Sequence, residues 1–269
     1  TSDFAKIALI LFLARQISKN QETIHEWKGT VIPLVVIVII VCGLIFPANF
    51  STAALLFFTS MVIMFIGRVS VKHLAKIVGI ALICLTLFFA VAHAVGYKGR
   101  IETWINRIMT FAGYNDNKSD SKNAKVEFSD EDYQAQQAKI AIATGGFLGK
   151  GPGNSEQRNF LPHPYSDFIF AIIAEEFGLI GTVGVIGGFM VLLSLGMQAA
   201  KGARDHYGAL LAGGITSWLC VQALINIGGV IGAMPVTGLT LPLLSYGGSS
   251  LFMTMAAVGL LLNVARNMK

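Results

Sequence analysis

Long apolar stretches recur along this 269-residue chain, and they restrict its fold more than any other feature. They lie at about residues 4–13, 32–46, 53–66, 74–95, 179–197, 208–230 and 243–264. Most approach the ~20 residues that a helix needs to cross a hydrocarbon core ~30 Å thick. Only 13% of the residues are charged, against roughly 25% in soluble domains. The sequence therefore predicts an all-α, polytopic helical membrane protein with seven spans.

The basic residues predict how these spans are oriented. Short basic connectors lie at 15–28, 68–76, 201–206 and the C-terminus, whereas the turns at 47–52 and 231–242 contain no Lys or Arg. By the positive-inside rule the basic connectors are cytoplasmic, and the two turns and the long region 96–166 lie outside. We therefore expect a multi-pass membrane protein whose first residue lies outside. An odd number of further spans then precedes it if the protein begins in the cytoplasm.

The chain is expected to divide into three segments. Residues 1–95 hold four spans, 96–166 form an extracytoplasmic loop, and 167–269 hold a short helix and the last three spans. Within the loop, apolar residues from Ile101 to Ile108 predict an interfacial amphipathic helix. A second helix is predicted from Asp130 to Thr144, capped by Ser129 and stopped by Gly145 and Gly146. The polar stretch 115–129 between them is expected to be mobile.

One polar cluster interrupts this apolar sequence, at residues 145–178. It begins with a glycine-rich run in which we expect positive φ angles, notably at Gly151 and Gly153. Asp167 then heads the apolar segment 168–174, and Gly178 is expected to separate a short helix from a full span. A carboxylate at the mouth of a membrane segment predicts a functional site, although a helix N-cap would explain Asp167 equally well.

Lys6 is the ionisable residue that stands out inside an apolar stretch. Such a lysine either faces a partner or cavity within the protein or extends its amine to the membrane surface, and the sequence leaves both open. Three isolated cysteines, Cys42, Cys84 and Cys220, are expected to be core residues. His93 and His163 lack metal-ligand spacing, so we expect no metal site built by the protein alone.

Three motifs resemble the SEDS family of bacterial cell-wall proteins, with the division-type (FtsW-like) branch as the closer match. They are SDFAKIALILFLA at 2–14, GKGPGNSEQRNFLPHPYSDFIFAIIAEEFG at 149–178 and GLTLPLLSYGGSS at 238–250. The resemblance runs from Thr1 to the last span. Family members have about ten spans, so the chain resembles the last seven. A departure occurs at 48–52, where the acidic residue of the family's turn is missing.

The resemblance implies a peptidoglycan glycosyltransferase that polymerises lipid II at the outer face of the cytoplasmic membrane. It implies a class B penicillin-binding protein transpeptidase and other division proteins as partners, and no nucleic acid. The family's essential aspartate falls on Asp167, and its intramembrane lysine falls on Lys6. Two rival classes stay open, a lipid II flippase and a division scaffold.

The chemistry of these residue types agrees with the implied reaction. Asp167 is predicted to be the general base that deprotonates the acceptor sugar hydroxyl. The substrate-binding residues are predicted to be Lys6, Lys150, Gly151, Gly153, Asn154, Ser155, Arg158, Ser245 and Tyr246. Their cations and backbone N–H groups would hold pyrophosphate, with a divalent cation (Mg²⁺ or Mn²⁺) as the one expected cofactor, bound to the lipid pyrophosphate. Packing at the start of the last span is the alternative role for the segment around Ser245. Glu175 and Glu176 are expected to bond neighbouring helices or to lie at an interface.

Overall fold

The structure, a computed structural model, describes residues 2–94, 130–161 and 164–268, and these ranges are helical without a strand. The α-helices are α1 (Ser2–Lys19), α2 (Ile32–Ile45), α3 (Phe50–Ile66), α4 (Val71–Ala94), α5 (Asp130–Gly145), α6 (Ile169–Gly202), α7 (His206–Val230) and α8 (Gly248–Arg266). A turn of π-helix at Trp27–Val31 precedes α2, and a 3₁₀ turn at Gln157–Asn159 lies between α5 and α6. The predicted all-α fold is confirmed.

Helices occupy all seven positions that were predicted to cross the membrane. Within the described ranges, five are long and apolar enough to do so: α2 with its preceding turn, α4, α6, α7 and α8. Helix α3 is apolar but has only 17 residues, and α1 carries four charged residues, Asp3, Lys6, Arg15 and Lys19, among its 18. The chain is thus a multi-pass membrane protein, and the count of seven spans stays a prediction.

Several helices begin or end a few residues away from their predicted positions, and two of these differences have a clear local cause. Helix α1 continues to Lys19, because no Gly or Pro interrupts it and basic residues are favourable at a helix C-terminus. Helix α3 begins at Phe50, since the Asn49 side chain caps it by accepting a hydrogen bond from the Thr52 N–H at 3.0 Å. The predicted turn at 47–52 is correspondingly shorter.

The helix predicted in the long loop is confirmed as α5, which ends at Gly145. The next residue, Gly146, has a φ of +55° and leaves the helix. The predicted cap Ser129, the amphipathic helix at 101–108 and the polar stretch 115–129 lie outside the described residues.

Helix α6 is broken at Gly178, as predicted. Gly178 has φ 62° and ψ −153°, which separates a short helix at 169–177 from a long one at 179–202. Glycine ends helices in this way because it has no Cβ to clash. Here a Cβ would lie 2.5 Å from the Gly149 nitrogen and 2.6 Å from the Phe147 oxygen.

The chain forms two compact units that alternate along the sequence. The first consists of Thr1–Gly96, Phe189–Gln222 and Gly247–Lys269, and the second of Tyr97–Gly188 and Ala223–Tyr246. In the first unit, α1 packs against α2, α3 and α8, and its side chains Ile10, Leu13 and Ile17 are fully buried. The second unit holds the glycine-rich loop and Asp167. The three sequence segments predicted above stay a prediction.

Candidate functional site

The glycine-rich loop lies directly on the C-terminal end of the short helix 169–177. The backbone N–H of Lys150 donates to the Glu175 carbonyl, and that of Gly151 donates to the Glu176 carbonyl, each at 2.9 Å. These bonds satisfy carbonyl groups that a helix end would otherwise leave without a partner. Gly149 has a φ of +77°, and a Cβ there would collide with the Glu176 carbonyl. The loop and the helix end therefore form one structure that depends on glycine at this point.

The Glu175 carboxylate lies under this loop and gathers its polar groups. The side chain has an exposed fraction of 0%. Its Oε1 accepts from Lys150 Nζ at 2.8 Å and from the Glu156 N–H at 3.2 Å. Its Oε2 accepts from Ser155 Oγ at 2.5 Å and from the Gln157 N–H at 3.2 Å. Because a buried carboxylate is stable only when it is paired and hydrogen-bonded, Glu175 and loop 150–157 hold one another in place.

Two predicted substrate-binding residues, Lys150 and Ser155, are engaged in this internal cluster. Lys150 also lies 3.3 Å from the Glu156 carboxylate, and its hydrogen bond to Glu175 raises the pKa of the Lys150 amine above its usual value. Ser155 is buried, and its Oγ accepts from the Arg158 N–H at 3.2 Å. Asn154 donates from Nδ2 to the Lys150 carbonyl at 3.0 Å. Contact of these residues with substrate stays a prediction.

The remaining predicted groups of the loop are Gly151, Gly153 and Arg158, of which Gly153 is exposed and the other two are half-buried. Gly151 and Gly153 have φ angles of +94° and +79°, so the expected positive φ is confirmed. The Arg158 side chain donates from Nη1 to the exposed Tyr165 hydroxyl at 3.3 Å. This places the guanidinium next to the segment that leads into Asp167.

The backbone that leads into Asp167 is held by three donors on three consecutive carbonyl groups. They are Tyr246 N–H to Tyr165 O at 2.8 Å, Ser245 Oγ to Ser166 O at 2.6 Å, and Asn226 Nδ2 to Asp167 O at 2.9 Å. Asn226 Nδ2 also donates to the Leu239 carbonyl at 2.6 Å. Helix α7 and the loop that follows it thus fix the main chain at Asp167, and we call this set of bonds the carbonyl cradle.

The Asp167 carboxylate is half-buried beside a small cleft. Its Oδ1 accepts from Ser166 Oγ at 2.7 Å, and a Cβ on Gly238 would lie 3.5 Å from its Oδ2. Asn226 lines the same cleft, and its Oδ1 is buried without a partner among the described residues. Within the described chain, no backbone N–H of α6 donates to this carboxylate, so the geometry does not support the N-cap alternative.

Lys6 belongs to the other unit, where it is buried and paired. The residue is only 3% exposed. Its Nζ lies 2.8 Å from Asp3 Oδ1 and 3.5 Å from Gln222 Oε1, and 5.7 Å from the centre of the Trp218 ring. Trp218 Nε1 donates to the same Gln222 oxygen at 2.9 Å. The alternative in which Lys6 extends to the membrane surface is therefore wrong, and internal pairing is correct.

The motif at 238–250 contributes polar groups to both units. In the second unit, Ser245 is buried, donates to the cradle and accepts from the Leu241 N–H at 2.7 Å. Tyr246 has a side chain that is 86% exposed. In the first unit, Ser249 Oγ donates to Asp3 Oδ2 at 3.3 Å. The hydroxyl of Ser245 is thus used within the protein, whereas the Tyr246 ring is open to a ligand.

Sequence reasoning missed three polar side chains that support these groups, Trp218, Gln222 and Asn226. They recur every four residues along α7, which places them on one face of that helix. Glu175 was also expected to bond neighbouring helices, but its partners lie in the loop. The signal that could have found the three residues is their regular spacing in an otherwise apolar helix.

Comparison with known proteins agrees over the full length of the chain. The family model of the FtsW/RodA/SpoVE cell cycle proteins matches residues 1–269. Stage V sporulation protein E of Bacillus subtilis is 38% identical, over 98% of this chain and 68% of its own length. The probable peptidoglycan glycosyltransferase FtsW of Trichlorobacter lovleyi is 34% identical, over 100% of this chain and 66% of its own length. The chain thus spans about two thirds of the length of these relatives.

Solved structures show the same fold. A chain from the structure called "Structural coordination of polymerization and crosslinking by a peptidoglycan synthase complex" superposes with a TM-score of 0.71 and 27% identity, over 99% of this chain and 70% of that one. The rod shape determining protein RodA of Thermus thermophilus gives a TM-score of 0.61 and 26% identity, over 99% of this chain and 65% of that one.

Proposed function

Since the chain belongs to the FtsW/RodA/SpoVE family of cell cycle proteins, we propose that it is the catalytic part of a peptidoglycan glycosyltransferase. Two kinds of comparison support this activity. Relatives in Trichlorobacter lovleyi and Bacillus subtilis carry the name probable peptidoglycan glycosyltransferase FtsW, and a similar fold occurs in a peptidoglycan synthase complex. The observation that carries the proposal is the carbonyl cradle, because it holds one half-buried carboxylate, Asp167, in a fixed position.

In the proposed reaction Asp167 is the general base. It removes the proton from the 4-hydroxyl of the acceptor GlcNAc, and that oxygen attacks the anomeric carbon of the donor MurNAc. The bond from that carbon to the pyrophosphate breaks, and undecaprenyl pyrophosphate leaves with the electron pair. Attack opposite the leaving group converts the α-linked donor into a β-1,4 bond. The Ser166 hydroxyl already donates a hydrogen bond to Oδ1 of Asp167. We therefore propose that Oδ2 accepts the proton from the acceptor hydroxyl.

Fixing the base before the substrate arrives is the physical contribution of the cradle. A catalytic group must be held close to its reacting geometry, because small displacements lose much of the rate. Positioned general bases typically contribute about 10²–10⁴-fold. Asn226 donates to the backbone carbonyl of Asp167 and Ser245 to that of Ser166, so both act through the main chain and are positioning residues.

The departing pyrophosphate needs positive charge or hydrogen-bond donors. We assign this role first to Arg158, whose guanidinium lies next to the Tyr165 hydroxyl, and then to the backbone N–H of the exposed Gly153, since the Gly151 N–H already donates to the Glu176 carbonyl. Lys150 is already neutralised by Glu175, so its contribution is mainly to the shape of the loop. Lys6 remains in the proposed binding set. A divalent cation, Mg²⁺ or Mn²⁺, is assigned to the pyrophosphate of the substrate, and titration with EDTA tests that assignment.

The proposal places this chain in the cytoplasmic membrane with the glycine-rich loop on the outer side. Lipid II is the proposed donor and acceptor, and a class B penicillin-binding protein transpeptidase is the proposed partner. The peptidoglycan synthase complex with the similar fold, in which polymerisation and crosslinking are coordinated, supports such a partnership. A role in division is supported by the FtsW relatives, and a role in sporulation by the sporulation relative.

The test uses the full-length protein with its transpeptidase partner and purified lipid II. Wild type should produce polymer, and Asp167→Asn should reduce the rate by roughly 10²–10⁴-fold, because an amide cannot accept the proton. Asp205→Asn, at an exposed carboxylate in the connector before α7, is the matched control and should keep the wild-type rate. Near-normal polymer from Asp167→Asn would contradict the mechanism. Translocation of lipid II in liposomes by a wild type that makes no polymer would identify a flippase instead.

A further inference from the structure

Helices α2, α3 and α4 enclose an apolar groove that the proposed reaction does not use. Its volume is about 670 Å³, and its lining includes Trp27 and Ile77 at one end and Phe46 and Phe88 at the other. The Phe46 and Phe88 rings meet edge to face with centres 5.1 Å apart, which brings α2 and α4 together at that end. The stretch of α2 along the groove is ~20 Å long at 1.5 Å per residue.

The lining and the length of the groove suit a hydrocarbon chain. The lining residues are aliphatic or aromatic, together with Gly, Pro and Cys, so the groove offers a polar occupant little to bond to. A groove ~20 Å long accommodates a chain that reaches through one leaflet, roughly 15 Å or half of the hydrocarbon core.

The end of the groove at Trp27 is bordered by lysine and histidine side chains. Lys76 Nζ lies 5.7 Å from the centre of the Trp27 ring, and the His73 ring centre lies 4.9 Å from it. Lys72 lies one turn before Lys76 on the same face of α4. Both lysines are exposed, and neither forms an ion pair with a carboxylate of the described residues.

This arrangement of charge favours a nearby anion. Like charges four residues apart repel along a helix, and the positive end of the helix dipole adds to the repulsion. The first turn of α4 contains no acidic residue to offset it. The buried Nδ1 of His73 also has no hydrogen-bond partner among the described residues.

We propose that this groove binds one anionic glycerophospholipid. Its phosphate lies at Lys72 and Lys76, one acyl chain runs along the groove, and Trp27 lies where the headgroup and the chain meet, as aromatic residues do at membrane interfaces. The predicted orientation puts this basic end at the cytoplasmic leaflet, which carries anionic lipids that attract Lys and Arg. The lipid fills the space between α2 and α4 and so stabilises α4 against its neighbours.

The experiment measures lipid retention by native mass spectrometry of the full-length protein, with phosphatidylglycerol and phosphatidylcholine of identical acyl chains. Wild type should retain one phosphatidylglycerol at a concentration at least tenfold below that needed for phosphatidylcholine. The double variant Lys72→Gln/Lys76→Gln should lose this preference, whereas Lys19→Gln/Lys201→Gln, two lysines of other basic connectors, should keep it. A wild type without the preference, or a first double variant that keeps it, overturns the proposal.

A second pair of variants tests the groove itself. An added Cβ at Gly43 meets no atom within 4 Å, and Gly43 lines the groove, so Gly43→Leu should fill the groove and prevent retention of either lipid. Gly79→Leu is the matched control, because Gly79 is equally open but is outside the lining of the groove. Equal retention by the two variants overturns the proposal. Inorganic phosphate, at a concentration equal to that of the lipid, should not displace the lipid. Displacement would indicate a site for the headgroup alone and would also overturn the proposal.

Discussion

The buried Glu175 carboxylate offers the sharpest test of how the loop is held, through Glu175→Gln. The carboxylate accepts two hydrogen bonds at each oxygen. A glutamine amide has one oxygen and one NH₂ group, so whichever way it turns, the NH₂ group faces two donors. Either Lys150 Nζ and the Glu156 N–H, or Ser155 Oγ and the Gln157 N–H, then lose their acceptor. One neutral donor left unsatisfied costs about 1–3 kcal/mol.

The expected effect is local opening of the loop. At 1.4 kcal/mol per tenfold change in an equilibrium constant, a loss of about 1–3 kcal/mol raises the population of the open loop by roughly 5- to 150-fold. Hydrogen exchange of the amides at 150–157, measured by mass spectrometry on the full-length protein, should lose protection by that factor. Polymerisation should fall while the unfolding temperature of the membrane helices changes little, because the loop opens without them.

Glu176→Gln is the control for this experiment. Glu176 is adjacent and only half-buried, and in the described chain its side chain makes no bond like those of Glu175. It should keep wild-type protection at 150–157. Equal protection in Glu175→Gln and wild type would refute the argument that this carboxylate holds the loop, and equal loss in both variants would show that general charge, rather than the named bonds, is responsible.

Three further predictions concern the loop and the orientation. Gly149→Ala should open the loop and reduce polymerisation strongly, because its Cβ collides with a carbonyl group. Gly153→Ala meets open space, so it should lower the stability of the loop by only about 1–2 kcal/mol, the cost of a positive φ for alanine. Equal losses of thermal stability and activity in the two variants would contradict this. The raised pKa of Lys150 keeps its amine protonated, so the contact with Glu175 persists below the usual lysine pKa and is lost only as the pH rises through the raised value. Acylation between pH 8 and 10 should therefore label Lys150 more slowly than Lys201, and equal rates by peptide mass spectrometry would count against it. A cysteine introduced at Asn117 should react with an impermeant thiol reagent from outside, and one at Lys201 only from the cytoplasm; the opposite result would reverse the proposed orientation.

The features that could be predicted from the sequence are those that depend on residues close together in the chain. A run of apolar residues predicts a helix that crosses a membrane. Gly178 predicts the break in α6, because glycine readily adopts a φ of 62°. Helix α5 ended where two glycines follow one another. Asp167 was found because a carboxylate is rare at the head of an apolar segment.

The partners of these residues could not be predicted in the same way. Lys6 is paired with Gln222, 216 positions away in the sequence, and Asp167 is supported by Asn226, 59 positions away. An uncharged amide in an apolar helix has many potential partners, and only the packing of the helices selects one. Glu175 shows the same limit at shorter range, since Lys150 lies 25 positions before it and the bond forms only when glycines let the loop approach the helix.

The carbonyl cradle has a consequence for the order in which the molecule can be assembled. Its side-chain donors, Asn226 and Ser245, come 59 and 79 positions after the residues they hold. A ribosome that adds about 5–20 residues per second therefore synthesises the segment around Asp167 roughly 3–16 seconds before these supports. During that interval the segment has no native partner from α7 or the loop after it. The reactive carboxylate thus acquires its working position only after α7 and the loop that follows it have been synthesised.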